Sequence, residues 1–387
     1  MTDLKVHSQA ESRLLSAPLE VRREIYSYFS IDNQIHIFQR EGKLRISTCL
    51  KPSLGDHVHD GRDRRNNRDE EGLSYRNPEW ARRLASPWGP HWECEDNASR
   101  VNSGKELYHV YDLRSVCKKM FLDVFDLITE TSTISITDVD TLDCLTNGQP
   151  NLQTSSNCQW GVWNHMQCRI KKLDISLRLP LAFYRALEDN KIADQTSVIA
   201  SSTTATVARM CRTWTRIWPS LCDLQQLQSI HIWLDHDDPS SWSVIKEKLI
   251  LNYAFAIFQQ EMQVRSSRKG FSQLKVLFNL PKLHPAIAKA ETHFVQDTSP
   301  PPCNIERRYR QRYHCVTSDD GTLSVKHNPD FPIMHEIADF YANECLGDLS
   351  MTLEESEDME RTMWLRGEDV EEAIREINSL NGFHVCY

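Results

Sequence analysis

The sequence predicts a mixed α/β fold, and three features predict it. Leu173, Ile175, Leu177 and Leu179 alternate along the chain, as do Ile230, Ile232 and Leu234, and then Leu274, Val276, Phe278 and Leu280; that period of two is the period of strands. Between these runs lie helical patterns: Leu181 to Glu188, a stretch with Val207, Cys211, Trp214 and Trp218, and a longer one with Trp242, Ile245, Leu249, Ala256 and Met262. Strand and helix in alternation imply parallel βαβ units with right-handed crossovers. The third feature is an amphipathic helix and a hairpin placed ahead of this body.

The opening helix spans Leu14 to Phe29. Pro18 suits a first helical position and Glu20 favours the positive helix end. Val21, Ile25, Tyr28 and Phe29 recur at helical spacing on one face, with Arg22, Arg23, Glu24 and Ser27 on the other. Gln34 to Phe38 and Lys43 to Cys49 are β-prone runs around Arg40-Glu41-Gly42, which reads as a hairpin. Residues 51 to 79 carry the mixed-charge run GRDRRNNRDEEG and too few apolar side chains to repay ordering entropy, so this reads as a mobile insertion. Trp80, Trp88 and Trp92, with Pro87 and Pro90, are expected to dock an irregular loop on the body through their rings.

A wide apolar stripe from Leu113 to Thr129 predicts a core helix, and Ile134 and Ile136 a short strand. Asn147 to Asn157 reads as a loop. The phrase Leu224-x-x-Leu227-x-x-Ile230-x-Ile232-x-Leu234 resembles the strand phase of leucine-rich repeats, but the strands recur at wide intervals and a regular solenoid is not supported. Beyond Pro281, Thr298-Ser299-Pro300-Pro301-Pro302 reads as a stiff linker and Ile333 to Leu346 as a helix. Glu354 to Glu360 reads as an acidic solvated run, and Asp369 to Leu380 as a final amphipathic helix. The expected organisation is a disordered 1–12, the opening helix plus hairpin at 13–50 and a polar mobile insertion at 51–105. An α/β body at 106–290, a linker and basic segment at 291–330 and C-terminal helices at 331–387 follow.

A net charge of −9 argues against a dominant nucleic-acid surface, which needs a basic face, so nucleic acid is not an expected partner. The first residues, MTDLKVHSQAES, have no apolar core of a signal peptide, and no later run is long enough to span a bilayer. An intracellular protein, cytoplasmic or nuclear, is expected. None of the twelve cysteines forms C-x-x-C; the nearest pair, Cys158 and Cys168, has nine residues between its members. Reduced, mostly buried thiols are the expectation.

Pro18, Glu20, Val21, Ile25, Tyr26 and Phe29 stand at the spacing of the F-box opening, a Leu-Pro-x-Glu-hydrophobic pattern followed by a hydrophobic-aromatic pair, with Ala17 in place of the usual Leu. Leu113-Arg114-Ser115-Val116-Cys117-Lys118-Lys119-Met120-Phe121 is similar to the second F-box element, separated here from the first by the hairpin and the insertion. Taken together, these features resemble a large group of uncharacterised fungal proteins with an F-box-like start, a hairpin, a late Cys-bearing helix and a mixed α/β body, over residues 13 to 280. The resemblance implies that the first helix docks on the small adaptor of a cullin–RING ubiquitin ligase through Pro18, Val21, Ile25, Tyr26 and Phe29. The body would recruit an unknown protein substrate.

Chemistry is sparse. His231-x-x-x-Asp235-His236-Asp237-Asp238 lies where a strand should end, the place where open α/β sheets hold ligands, and Asp235, His236 and Asp237 are weak candidate metal ligands. Asp238-Pro239-Ser240-Ser241 also reads as the cap and first turn of the next helix, which explains the acids without a ligand. His57-Val58-His59-Asp60 lacks the further ligands a binuclear hydrolase needs. Arg307-Arg308-Tyr309-Arg310-Gln311-Arg312-Tyr313 interleaves basic and aromatic residues as single-strand nucleic-acid surfaces do, though a solvated strand face explains it as well. Trp214, Trp218, Trp233 and Trp242 read as core. No nucleophile elbow, phosphate loop, dinucleotide fingerprint or zinc-protease helix is present; His335-Glu336 starts the last, but Asp339 stands where its second histidine belongs.

The expected function is therefore a non-enzymatic protein-interaction module, with no cofactor. The alternatives are a self-contained scaffold or ligand-binding domain with the first helix buried, and a metal-dependent hydrolase using the Asp235 to Asp238 loop.

Overall fold

A computed structural model describes residues 12–28, 34–40, 43–50, 77–99, 117–147, 169–189, 202–267, 273–295 except 286, 301–328 except 302, 309, 312 and 319, and 353–370 with 372, 373 and 376. In chain order, α1 is Arg13–Ser16, α2 Leu19–Ser27, β1 Gln34–Arg40, β2 Lys43–Thr48, α3 Pro78–Leu84, α4 Trp92–Ser99, α5 Lys118–Thr131, β3 Thr133–Ile136 and α6 Val139–Asn147. Then come β4 Lys172–Leu179, α7 Leu181–Glu188, α8 Ser202–Cys222, β5 Ser229–His236, α9 Glu247–Ser267, β6 Lys275–Pro281, β7 Asn304–Arg308, β8 Tyr313–Thr317, β9 Leu323–His327 and α10 Leu353–Arg366.

The α/β expectation holds. Seven strands form one sheet in the order β2-β1-β3-β4-β5-β6-β7; the β1–β2 hairpin is antiparallel and every other pairing is parallel. Each new parallel strand is added on the same side as the last, so right-handed crossovers place the connecting helices on one face. That face carries Ile35, Ile37, Ile134, Ile175, Ile232 and Phe278, buried against Phe125 of α5, Phe183 of α7, Trp214 and Trp218 of α8, and Phe255 and Phe258 of α9. Trp214 and Trp218 meet edge to face at 4.6 Å, and Trp218 lies 5.8 Å from Phe258. Trp242 is also fully buried, as expected of a core residue, whereas Trp233 points to the other face and is half-buried.

Strand alternation puts polar side chains on that second face. Gln34 Nε2 donates to Ser135 Oγ at 2.6 Å and to Asp174 Oδ2 at 3.0 Å, linking β1, β3 and β4. Residues 77–99 and the β8–β9 hairpin lie on this side: Trp80, Ala81 and Leu84 of α3 pack with Tyr313 of β8 and Val325 of β9. Arg178 of β4 and Gln311 both donate to the Leu84 carbonyl, closing the end of α3 onto the sheet.

Several local expectations are corrected. Trp80, Trp88 and Trp92 do bury their rings, but on two helices and a 3-10 turn, Gly89–His91, in place of an irregular loop. Asn77 caps α3 by accepting from the Glu79 and Trp80 amides at 2.9 and 3.2 Å, and Pro78 sits in the first turn, so the start signal was present in Asn-Pro. The long helix read from Trp242 starts as a 3-10 turn at Trp242–Val244 and becomes α-helix only at Glu247. The acidic run from Glu354 lies in α10. Phe29, residues 1–11, 51–76, 100–116, 148–157 and 333–346, and most of 369–380, lie outside the described residues, as does His57 to Asp60.

Candidate functional site

The first helix is held on the body by its charged side. Arg22 is buried, with Nη1 donating to the Leu15 carbonyl at 3.1 Å and Nε 3.4 Å from Asp123 of α5. Arg23 donates to Glu130 of α5 at 2.9 Å, and Glu130 is shared with Arg169 at 3.1 Å. Asp123, Asp126 and Glu130 thus form an acidic stripe on α5 that receives the arginines. Tyr26, expected among the partner contacts, is 2% exposed in the core, on the same side as Arg22 one turn earlier. Pro18 serves as N-cap, one position before the helical start expected of it. The apolar row faces outward: Leu19 is 39%, Val21 48%, Ile25 41% and Tyr28 81% exposed. The stripe expected to choose between core and partner is therefore split, with aromatic Tyr26 taken by the core and the aliphatic row left outside.

At the end of β5, Asp235 and Arg310 form an ion pair at 2.6 Å with both side chains 1% exposed. Burial opposes the Asp235 charge, yet Arg310 and Arg178 outweigh it and hold the carboxyl below its ordinary range. Arg310 also donates to the His236 and Asp238 carbonyls at 3.1 and 3.0 Å. His236 is buried and stacks on Trp242 at 5.8 Å. Asp237 Oδ1 accepts from the Leu181 amide at 3.2 Å, and Asp238 Oδ1 accepts from the Ser240 amide at 2.8 Å, so the acids mostly serve the chain's own turns. The one-way strand order also lacks the reversal at which open α/β sheets form a ligand crevice. The described arginines of the basic run are likewise committed internally: Arg307 pairs with buried Glu247 of α9, and Arg308 with Asn279 and Glu306.

The most site-like constellation lies elsewhere. His36 of β1, Cys49 just after β2, His91 in the 3-10 turn and Cys94 of α4 each place a nitrogen or sulfur so that all four atoms lie within 4.8 Å of one another. Their exposures are 0%, 3%, 1% and 0%. Cys49 Sγ is 3.6 Å from His91 Nδ1 and 3.9 Å from Cys94 Sγ, and Cys94 Sγ is 3.9 Å from His91 Nδ1. The Leu50 amide donates to Cys94 Sγ at 3.3 Å. Among the described residues neither nitrogen of His36 makes a hydrogen bond of ordinary geometry, although its ring lies against the Cys94 thiol. Trp88 covers the group, with its ring 5.1 Å from His36 and 5.2 Å from Phe38. Contact with Cys49, and then the His36 and His91 rings, hold the Cys94 thiol well below its ordinary range against the opposing effect of burial. Thiols outside the group go the other way: loss of solvent pushes Cys211 up to about 11 and Cys222 and Cys303 up to about 12. No disulfide joins the described cysteines.

Sequence reasoning missed this group because it sought C-x-x-C. The local signal is His91-x-x-Cys94, a mixed pair, and the other two donors come from the hairpin, far away in the chain. Its strand alternation was legible: Gln34, His36 and Phe38 share the face that Trp88 covers.

An α/β protein with a one-way parallel sheet, a hairpin edge and a helix leading into it is the class these features define. The family model of a domain of unknown function, DUF7730, matches residues 7–254, and the chain belongs to that family. No curated protein and no solved structure matches it. Among the described residues no helix is long and apolar enough to cross a membrane.

Proposed function

We propose that the protein is a non-enzymatic interaction module that docks through α2, on the F-box resemblance with the small adaptor of a cullin–RING ubiquitin ligase, while the α/β body recruits a protein substrate. The observation that carries this reading is the outward row Leu19, Val21, Ile25 and Tyr28 on a helix whose other side is fixed by Arg22, Arg23 and Tyr26. Helix-in-groove recognition uses such a row as its anchors. Pro18, Val21 and Ile25 remain in the contact set, while Tyr26 positions the helix from beneath. The outward row also favours this reading over a scaffold with the first helix buried, and the Arg310 pairing of Asp235 disfavours the hydrolase.

The test is direct binding of the purified chain to the purified adaptor. Val21→Asp with Ile25→Asp should weaken binding tenfold or more and leave the melting temperature unchanged, since both side chains are exposed. Absence of binding by the wild-type chain would sink the ligase reading.

A further inference from the structure

We propose that His36, Cys49, His91 and Cys94 form a structural zinc site that fastens the N-terminal hairpin to the α3–α4 segment. This inference is independent of the docking reading.

Geometry selects a mononuclear metal. Zinc bonds of about 2.3 Å to sulfur and about 2.0 Å to nitrogen, at tetrahedral angles, set edges of about 3.8 Å between two sulfurs and about 3.5 Å between sulfur and nitrogen. The three edges among Cys49, His91 and Cys94 are 3.9 Å for the sulfur pair and 3.6 and 3.9 Å for sulfur to His91 nitrogen, and a His36 nitrogen lies within 4.8 Å of each. A tetrahedral set of two sulfurs and two nitrogens selects zinc among the divalent ions. Hard cations such as magnesium and calcium demand oxygen ligands, and none of these four donors is oxygen.

Charge and polarity agree. Zn²⁺ with two thiolates and two neutral imidazoles carries no net charge and can be buried without an unpaired ion. It would also partner one of the two buried nitrogens of His36, neither of which has a hydrogen-bond partner of ordinary geometry among the described residues. The Leu50 amide already points at the Cys94 sulfur, the kind of outer contact that orients a ligating thiolate. Four protein donors, all at most 3% exposed, leave no open coordination position for water or substrate, which makes the site structural and not catalytic.

The packing explains why a metal is useful here. Among the described residues the apolar cluster around the site is Phe38, Cys49, Trp88, Cys94 and Ala98, separate from the main core. So small a core gives little stability by burial alone, and small cores are commonly completed by a metal.

The decisive measurement is made on the full-length wild-type chain, expressed with zinc in the medium and purified without chelator. Elemental analysis should find one zinc per chain, and X-ray absorption at the zinc edge should resolve two sulfur and two nitrogen neighbours. The chain stripped of metal should take up cobalt(II) with the visible spectrum of a tetrahedral thiolate site. Cys94→Ser should lose the stoichiometric metal, and Cys303→Ser, a buried cysteine outside the cluster, should retain it. If Cys94→Ser fails to fold, the wild-type absorption measurement still decides. A wild-type chain that contains no zinc and takes up no cobalt overturns the proposal. So does zinc bound through oxygen ligands, or a Cys49–Cys94 disulfide seen as a loss of two hydrogens in the intact mass.

Discussion

At the scale of single residues, buried titratable groups give the fold a pH dependence of known sign. Burial first, and then the Arg310 cation, pushes the imidazoles of both His236 and His314 down to about 3 from the ordinary 6.5. Between those values the unfolded chain binds protons that the folded chain refuses, so stability falls as pH drops from about 6.5 toward 3. Asp138, whose carboxyl burial pushes up to about 6 from 3.8, works in the opposite direction: its contribution is present below 3.8 and is lost as pH rises through 6. Urea denaturation midpoints measured from pH 7 to pH 4 should therefore fall less steeply in His314→Phe than in the wild type, and more steeply in Asp138→Asn. Equal slopes in all three would refute this assignment. None of it was legible in the sequence, because residue types alone do not show which imidazoles the fold buries beside Arg310. Arg310 lay in a run that read as a solvated basic surface and turned out to be buried.

At the scale of elements, the short 3-10 turn before α4 is the most constrained piece. Gly89 has φ of +54°, and a methyl group there would sit 2.7 Å from Cζ3 of Trp233 on β5. Gly89→Ala therefore combines left-handed backbone with a steric clash and should cost about 1–3 kcal/mol, read from thermal or chemical unfolding. Because the turn carries His91, the same variant should also bind zinc less tightly; full stability and full metal content together would contradict the packing. The strands were legible at this scale because alternation of Leu173 to Leu179 and Ile230 to Leu234 is a local signal. The hairpin at Gln34 and Lys43 was equally plain. The orientation of α2 was not: amphipathicity marks a sticky face but does not say whether core or solvent receives it. Here the arginine side went inward, since α5 offers Asp123 and Glu130 to meet it. The four-donor cluster was illegible for a related reason, as its members come from β1, the end of β2, the turn and α4.

At the scale of the whole molecule, the family match ends at residue 254, inside α9, while the buried ion pairs reach further. Glu247 is fully buried and is met by Arg307 of β7, and Asp235 is met by Arg310. Removing one partner of such a pair typically costs about 3–5 kcal/mol. A fragment of residues 1–254 would lose both arginines and strands β6 and β7 together, and should show no cooperative melt by circular dichroism, whereas the full chain should. A cooperative fragment would mean that the C-terminal strands are accessory. Among the described residues the sheet, wound in one direction, ends at β7, opposite the hairpin and remote along the sheet from α2. Relatives that gain or lose strands at that end would lengthen or shorten the sheet without moving α2 or the hairpin.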